Sequence, residues 1–219
     1  MHYSHFGQAL VGSILLLGAS ALAQAADYEV TVTNLTRNQV FSPVLAVSHS
    51  SNVSLFHVGE IASPELVAIA EGGDVGPMED LLGNVAGVSD FTNSGAPVMP
   101  GMSVSLVVAG GPYTRISVLS MLVNSNDAFL ALNGEKATVW RSVSVRVPAY
   151  DAGSEANTEL CSDLPGPSCP ADSGNAHVDE DAAFEHIHIH NGIHGVGDLD
   201  PTEDDWHNPV ASIMIKRMP

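Results

Sequence analysis

Tyr28-Glu29-Val30-Thr31-Val32-Thr33 sets an apolar or aromatic residue at every second position and a polar one between each pair. Side chains on a strand point to alternate faces, so this period of two describes a half-buried β-strand. The same pattern recurs. Met102 to Ala109 alternates through Val104, Leu106 and Val108, and in the run Val139 to Val147 the residues Val143, Val145 and Val147 oppose Ser142, Ser144 and Arg146. Ile116 to Val123 is apolar on both faces, as a central strand must be. Val40 to His49, Ser54 to Val58, Glu185 to His190 and Pro209 to Arg217 are further strand candidates. Helical signals are confined to one insertion. Ser63-Pro64-Glu65 supplies an N-cap, a first-position proline and an early acid, Leu66 to Ala70 continues the helix, and Gly72-Gly73 stops it. Pro77 to Leu82 predicts another short turn. About eight strands with so little helix predict an all-β fold, an antiparallel β-sandwich with a short helical insertion.

Charge narrows the function classes. The 219 residues hold 7 Lys and Arg against 25 Asp and Glu, a formal net charge of −18. No Lys or Arg occurs between Arg146 and Lys216, whereas 14 acids fall between Asp151 and Asp205. Such a surface repels nucleic-acid phosphates and anionic membranes and attracts cations. Residues 1–26 carry no Asp, Glu, Lys or Arg, and the apolar run Ala9 to Gly18 leads to small residues ending Ala23-Gln24-Ala25. This order predicts a signal peptide over residues 1–25, cut after Ala25. Its apolar core is shorter than the ~20 residues a membrane-spanning helix needs. The expected product is an exported, periplasmic or secreted domain over residues 26–219, with no membrane insertion after cleavage. Cys161 and Cys169, eight apart in a Pro/Gly-rich stretch, predict one disulfide in that oxidising setting.

Two acidic stretches each follow a β-like run: Asn124-Ser125-Asn126-Asp127 and Tyr150-Asp151-Ala152-Gly153-Ser154-Glu155. Three carboxylates at strand ends, with a glycine to turn the backbone, suit a hard cation such as Ca2+, which takes six to eight oxygen ligands. The run His186-Ile187-His188-Ile189-His190 is a second candidate. On a strand its three imidazoles project from one face, where they could ligate Zn2+ or Cu2+, and the alternative expectation is a transition-metal protein or metalloenzyme built on them. The acidic run Asp198 to Asp205 is no EF-hand, since Glu203 stands where glycine is needed and Pro209 where the bidentate acid belongs. Hydrolase motifs are absent: there is no Gly-x-Ser-x-Gly and no His-Glu-x-x-His.

The stretch Ser120-Met121-Leu122-Val123-Asn124-Ser125-Asn126-Asp127-Ala128-Phe129, followed by Tyr150-Asp151-Ala152-Gly153-Ser154-Glu155 and closed by Asp205-Trp206-His207-Asn208-Pro209-Val210-Ala211, resembles the spondin domain. This is the amino-terminal module of F-spondin-type matrix proteins, also found as a stand-alone secreted bacterial protein. The resemblance covers roughly residues 27 to 217. It implies a C2-like β-sandwich with Ca2+ held at one end by Asp127, Asp151 and Glu155. The family's Pro and Trp in the first turn are replaced here by Asn and by Ala128-Phe129, and its second-motif Asp is Glu155. The expected function is therefore that of a non-catalytic Ca2+-binding module. It would bind or adhere to an envelope or extracellular ligand, protein or glycan.

Overall fold

The computed structural model describes residues 26–111, 114–138, 140–170 and 185–219. The expected signal peptide, the start of the Val139 run and residues 171–184 of the acid-rich stretch between Asp151 and Asp205 lie outside the described residues. In chain order the elements are β1 (Ala26–Asn34), β2 (Leu45–His49), α1 (Pro64–Gly72), α2 (Gly76–Leu82), β3 (Val88–Asn93), β4 (Ser103–Gly110) and β5 (Arg115–Met121). There follow β6 (Ala128–Lys136), β7 (Val143–Val147), β8 (Ala149–Asp151), β9 (His188–Ile189), α3 (Pro201–Asp204) and β10 (Ala211–Arg217).

Two antiparallel sheets carry the fold, as the alternating runs predict. One has the order β4-β1-β10-β7 and the other β3-β2-β5-β6-β8-β9. In the first, Val30 is paired with Leu106 on one side and Ile215 on the other, and Val32 with Val104 and Ile213. Tyr28, Val30 and Val32 are fully buried, so the period of two in the sequence is the period of burial. Ala46, Val118, Leu130 and Leu132 of the second sheet meet that face and complete the inter-sheet core.

The second sheet is buried on its other face too, which is why Ile116 to Val123 shows no polar alternation. Leu45, Val47, Leu119, Phe129 and Ala131 point away from the inter-sheet core and pack against Leu66, Ile69 and Ala70 of α1 and Met78 and Leu82 of α2. The helical insertion is thus a third layer. Its start is built as the sequence predicts: Ser63 is the N-cap and accepts a bond from the Leu66 N–H at 3.3 Å, with proline in the first turn. Gly73 ends α1 with a left-handed φ of 64°, and a Cβ there would lie 2.6 Å from the Ser42 Cβ. Both the backbone and the space demand glycine.

Several expected strands differ. Val40 to His49 is a strand only from Leu45. Ser54 to Val58 is a loop, held to β6 by the Asn133 side chain, whose Nδ2 donates to the Phe56 carbonyl at 2.7 Å and whose Oδ1 accepts from the Leu55 N–H at 3.3 Å. Glu185 to His190 pairs only at His188 and Ile189. Conversely β3, β6 and β8 have no counterpart among the predicted strands. β3 is a polar edge strand, and β6 changes phase at a bulge where Gly134 takes φ 73°.

Cys161 and Cys169 form the predicted disulfide. Closing so short a loop removes unfolded-chain entropy worth about 2 to 3 kcal/mol. Cys161→Ser/Cys169→Ser is expected to lower unfolding free energy by about that amount in urea denaturation, with the β-sheet circular dichroism spectrum retained.

Candidate metal centre

Strand pairing assembles the acidic end. β6 and β8 are antiparallel neighbours with Ala128 opposite Asp151, and the Ala152 N–H donates to the Asp127 carbonyl at 3.2 Å. Two residues 24 apart in sequence therefore become adjacent. Gly153 then turns the chain with φ 68°, bringing Ser154 and Glu155 back over Asp127. The Ser154 N–H (2.8 Å) and Glu155 N–H (3.1 Å) both donate to Asp127 Oδ2, and the Ser154 hydroxyl donates at 3.3 Å. Asp151 is held in turn by the Gly153 N–H on Oδ1 (2.8 Å) and by Asn157 Nδ2 on Oδ2 (2.7 Å).

All three predicted carboxylates are buried: Asp127 is 0%, Asp151 2% and Glu155 8% exposed. Among the described residues no hydrogen-bond donor reaches Asp127 Oδ1 or Glu155 Oε2. No Lys or Arg among the described residues forms an ion pair with any of the three. Burial, the Asp151 carboxylate and, more weakly, Glu71 push the Asp127 carboxyl up to about 7, against the pull of the two backbone N–H bonds. Burial, Glu71, Asp127 and Asp163 push Glu155 up to about 8. A buried cluster of like charges is costly, and native structures meet that cost with a proton or a cation.

Glu71 is the participant that sequence reasoning missed. It sits in the last turn of α1, 3% exposed, near enough to raise both Asp127 and Glu155. One signal stood in the sequence: an acid just before Gly72-Gly73 occupies the negative end of the helix dipole, where anions are disfavoured.

The histidine run is split by the fold. Strict alternation would put Ile187 and Ile189 together, yet they are 1% and 46% exposed, because only two residues of the run join the sheet. His186 and His188 remain neighbours at 5.7 Å between rings, while His190 turns inward and packs on Trp206 at 4.9 Å. Ligand atoms of His190, Asp127 and Asp151 lie within 4.8 Å of one another, so this buried group could hold a metal ion. The hydrogen bonds define what His190 offers. Its Nδ1 accepts the Gly192 N–H at 2.9 Å, so Nε2 bears the proton of the neutral ring and donates to Asn157 Oδ1 at 3.1 Å. Burial lowers the His190 pKa, which keeps the ring neutral. A protonated nitrogen is not a ligand. His188 has the opposite tautomer: its Nδ1–H donates to the His186 carbonyl at 3.0 Å, leaving the Nε2 lone pair free, 3.8 Å from Asp151 Oδ2.

The remaining acids of the region serve the loops. Glu159 accepts from the His194 (2.6 Å) and Val196 (2.9 Å) N–H groups, Asp198 from Cys161 N–H, and Asp205 from Ile193 N–H. Asp204 accepts from Asn38, Ser168 and the Asp200 N–H. These carboxylates tie loops down, whereas Asp127 and Glu155 each keep an oxygen in reserve.

Residues 27–169 match the family model described as Spondin_N. No curated protein matches the chain. The matched span includes Asp127, Asp151, Glu155 and the disulfide, whereas β9, β10 and the histidine run lie beyond it.

The raised carboxyls give the cation-free protein a definite pH response. Groups whose pKa rises on folding, from ordinary values of 3.8 and 4.5 to about 7 and about 8, add stability that is complete below about pH 4. That stability is lost as pH climbs towards 8. In chelator, the melting temperature is expected to fall between pH 5 and 8, and Asp127→Asn, which keeps the shape without the charge, is expected to flatten the fall.

Proposed function

The chain belongs to the spondin N-terminal domain family, and on that premise we propose that it is an exported, non-catalytic β-sandwich that binds Ca2+ through Asp127, Asp151 and Glu155. It would serve as a binding or adhesion module of the cell envelope or extracellular space. The family is that of an extracellular-type β-sandwich module, and the Cys161–Cys169 disulfide belongs to an oxidising compartment.

One observation carries the Ca2+ reading. Asp127 Oδ1 and Glu155 Oε2 are buried oxygens that no donor among the described residues reaches, and no described Lys or Arg forms an ion pair with Asp127, Asp151 or Glu155. A hard divalent cation reaching both oxygens would satisfy them and remove the like-charge repulsion. The donor set is oxygen-only because the nearest buried imidazole, His190, presents a proton instead of a lone pair. That chemistry favours Ca2+ over Zn2+ or Cu2+. A bound cation would also pin the β6–β8 end to the Ser154–Glu155 turn, giving the surface loops beside it a fixed shape for a partner. Glu155 replaces the family's aspartate with a longer arm that can still reach as a bidentate ligand.

Calorimetry and melting at pH 8, with and without Ca2+, test the proposal. At a hundredfold excess over Kd a ligand adds about 2.7 kcal/mol, or roughly 5 to 10 °C for a domain of this size. Asp127→Asn and Asp151→Ala are each expected to remove most of that shift. An unchanged melting temperature with Ca2+, or an undiminished shift in both variants, would sink the reading.

A second reading rests on the His188 tautomer. With its Nε2 lone pair free beside His186, His188 could anchor Zn2+ or Cu2+ at the rim. Under that reading the untagged protein carries stoichiometric Zn or Cu by elemental analysis and loses it in His188→Ala. Under the first, Ca2+ binding survives His188→Ala.

A further inference from the structure

The far end of the six-stranded sheet presents a different chemistry. On the face that carries the helices, β2, β5 and β6 set His49, Arg115 and Lys136 in one cross-strand row: His49 opposes Arg115, and Arg115 opposes Lys136. Like charges directly opposite each other disfavour a sheet. Here two of the chain's 7 basic residues occupy such a pair, although 25 acids are available. Among the described residues no carboxylate forms an ion pair with Arg115 or Lys136. Glu135, the acid next in the chain, opposes fully buried Ile116, which faces the inter-sheet core, and so stands on the other face.

Beside Arg115 lies a cavity of about 280 Å³, lined by Ser51, Val53, Ser54, Arg115, Asn133 and Gly134. Its walls are fixed before any ligand arrives. The Asn133 side chain staples the Ser54–Phe56 loop to β6 through Ser54 Oγ (3.1 Å) and the Phe56 carbonyl (2.7 Å). Gly134 sits at the β6 bulge, held by its N–H to Ser117 Oγ at 2.9 Å, and its carbonyl accepts Arg115 Nη1 at 3.1 Å. Ser117 is locked from below by His49 Nε2 at 2.7 Å. One edge of the guanidinium is therefore anchored to backbone, and its other donors remain to be used.

We propose that this cavity is a binding pocket for a sugar acid, with Arg115 receiving the carboxylate, Lys136 adding charge at the rim, and Ser51, Ser54 and Asn133 facing the hydroxyls. A guanidinium takes a carboxylate through two parallel N–H···O bonds, a geometry a lysine cannot copy. Hydroxyl and amide groups around an anion-holding fork suit a polyhydroxylated ring. The volume lies just under the range of roughly 300–1,000 Å³ that encloses drug-sized ligands, which limits the occupant to about one monosaccharide unit. A local cation pair on so acidic a protein also repels nothing the ligand carries, while the surrounding acids discourage larger polyanions. The pocket lies at the Asn133–Lys136 end of β6, whereas Asp127 precedes the strand's first residue, so its occupancy does not depend on the Asp127 cluster.

Titration of the full chain with D-glucuronate, followed by amide chemical shifts, tests the pocket. Saturable shifts at Ser51, Ser54, Asn133 and Gly134, with a Kd on the order of 1 mM, are expected. D-glucose, without the carboxylate, and acetate, without the hydroxyls, should each bind at least tenfold more weakly. Arg115→Gln should abolish the shifts and Lys136→Gln should weaken binding a few-fold, while the Ca2+ response of both variants stays as in the parent. If Arg115→Gln does not fold, the wild-type shift map together with Lys136→Gln decides the matter. Absence of saturable shifts at those residues, equal binding of glucose or acetate, or undiminished binding in the variants overturns the proposal.

Discussion

The pairing of Ala128 with Asp151 governs the acidic end of the molecule. Once β6 and β8 lie side by side, Asp127 and Asp151 are forced together, and the Gly153 turn can only return Ser154 and Glu155 over them. The backbone N–H groups that meet Asp127 Oδ2 solve half of the electrostatic difficulty. They leave Oδ1 exposed to its own kind, among Asp151, Glu155 and Glu71, inside a packed protein. Under the proposed function, stability and ion recognition are one problem at this site, because the charges that would attract a cation are the charges that burden the fold without one.

The layered build explains where that burden can be carried. The inter-sheet core sets Val30, Val32, Ile213 and Ile215 on one side against Val118 and Leu130 on the other. Each such side chain contributes about 1.5–3 kcal/mol on burial. The helices α1 and α2 cover the outer face of the second sheet and add a second apolar layer. Against this rigid support the acidic turn has a fixed geometry. The aromatic trio Phe56, Phe129 and Tyr150, with ring centroids 5.3 to 5.5 Å apart, braces β6 and β8 next to the cluster.

Legibility in the sequence followed the physics of each element. β1, β4, β7 and β10 face solvent on one side, so their alternation could be read directly. β5 could be read from its continuous apolar run, because both of its faces are covered. β6 could not: the bulge at Gly134 shifts its phase, and its last residues Asn133-Gly134-Glu135-Lys136 look like a turn. β8, three residues long, is too short to show a period. The carboxylates Asp127, Asp151 and Glu155 were legible because turn chemistry and acids coincide locally. Glu71 could be marked only as an acid at an unfavourable helix end, since its approach to Asp127 and Glu155 depends on how α1 lands on the sheet. The histidine run shows the opposite failure. Its period of two is clear in the sequence, yet the chain joins the sheet for only two residues, and a bond to the His186 carbonyl and one from the Gly192 N–H give His188 and His190 opposite tautomers.

The place of β10 has a consequence for how the molecule comes into being. The last strand of the chain inserts between β1, the first, and β7, so that Val30 meets Ile215 across nearly the whole sequence. A growing chain can pair β1 with β4 early, but the central row of its four-stranded sheet stays open until β10 has been made. Contacts so distant in sequence are slow to form. Until β10 arrives, β7 has no neighbour in the four-stranded sheet, and the strand that closes the sandwich is one of the last described elements to join it.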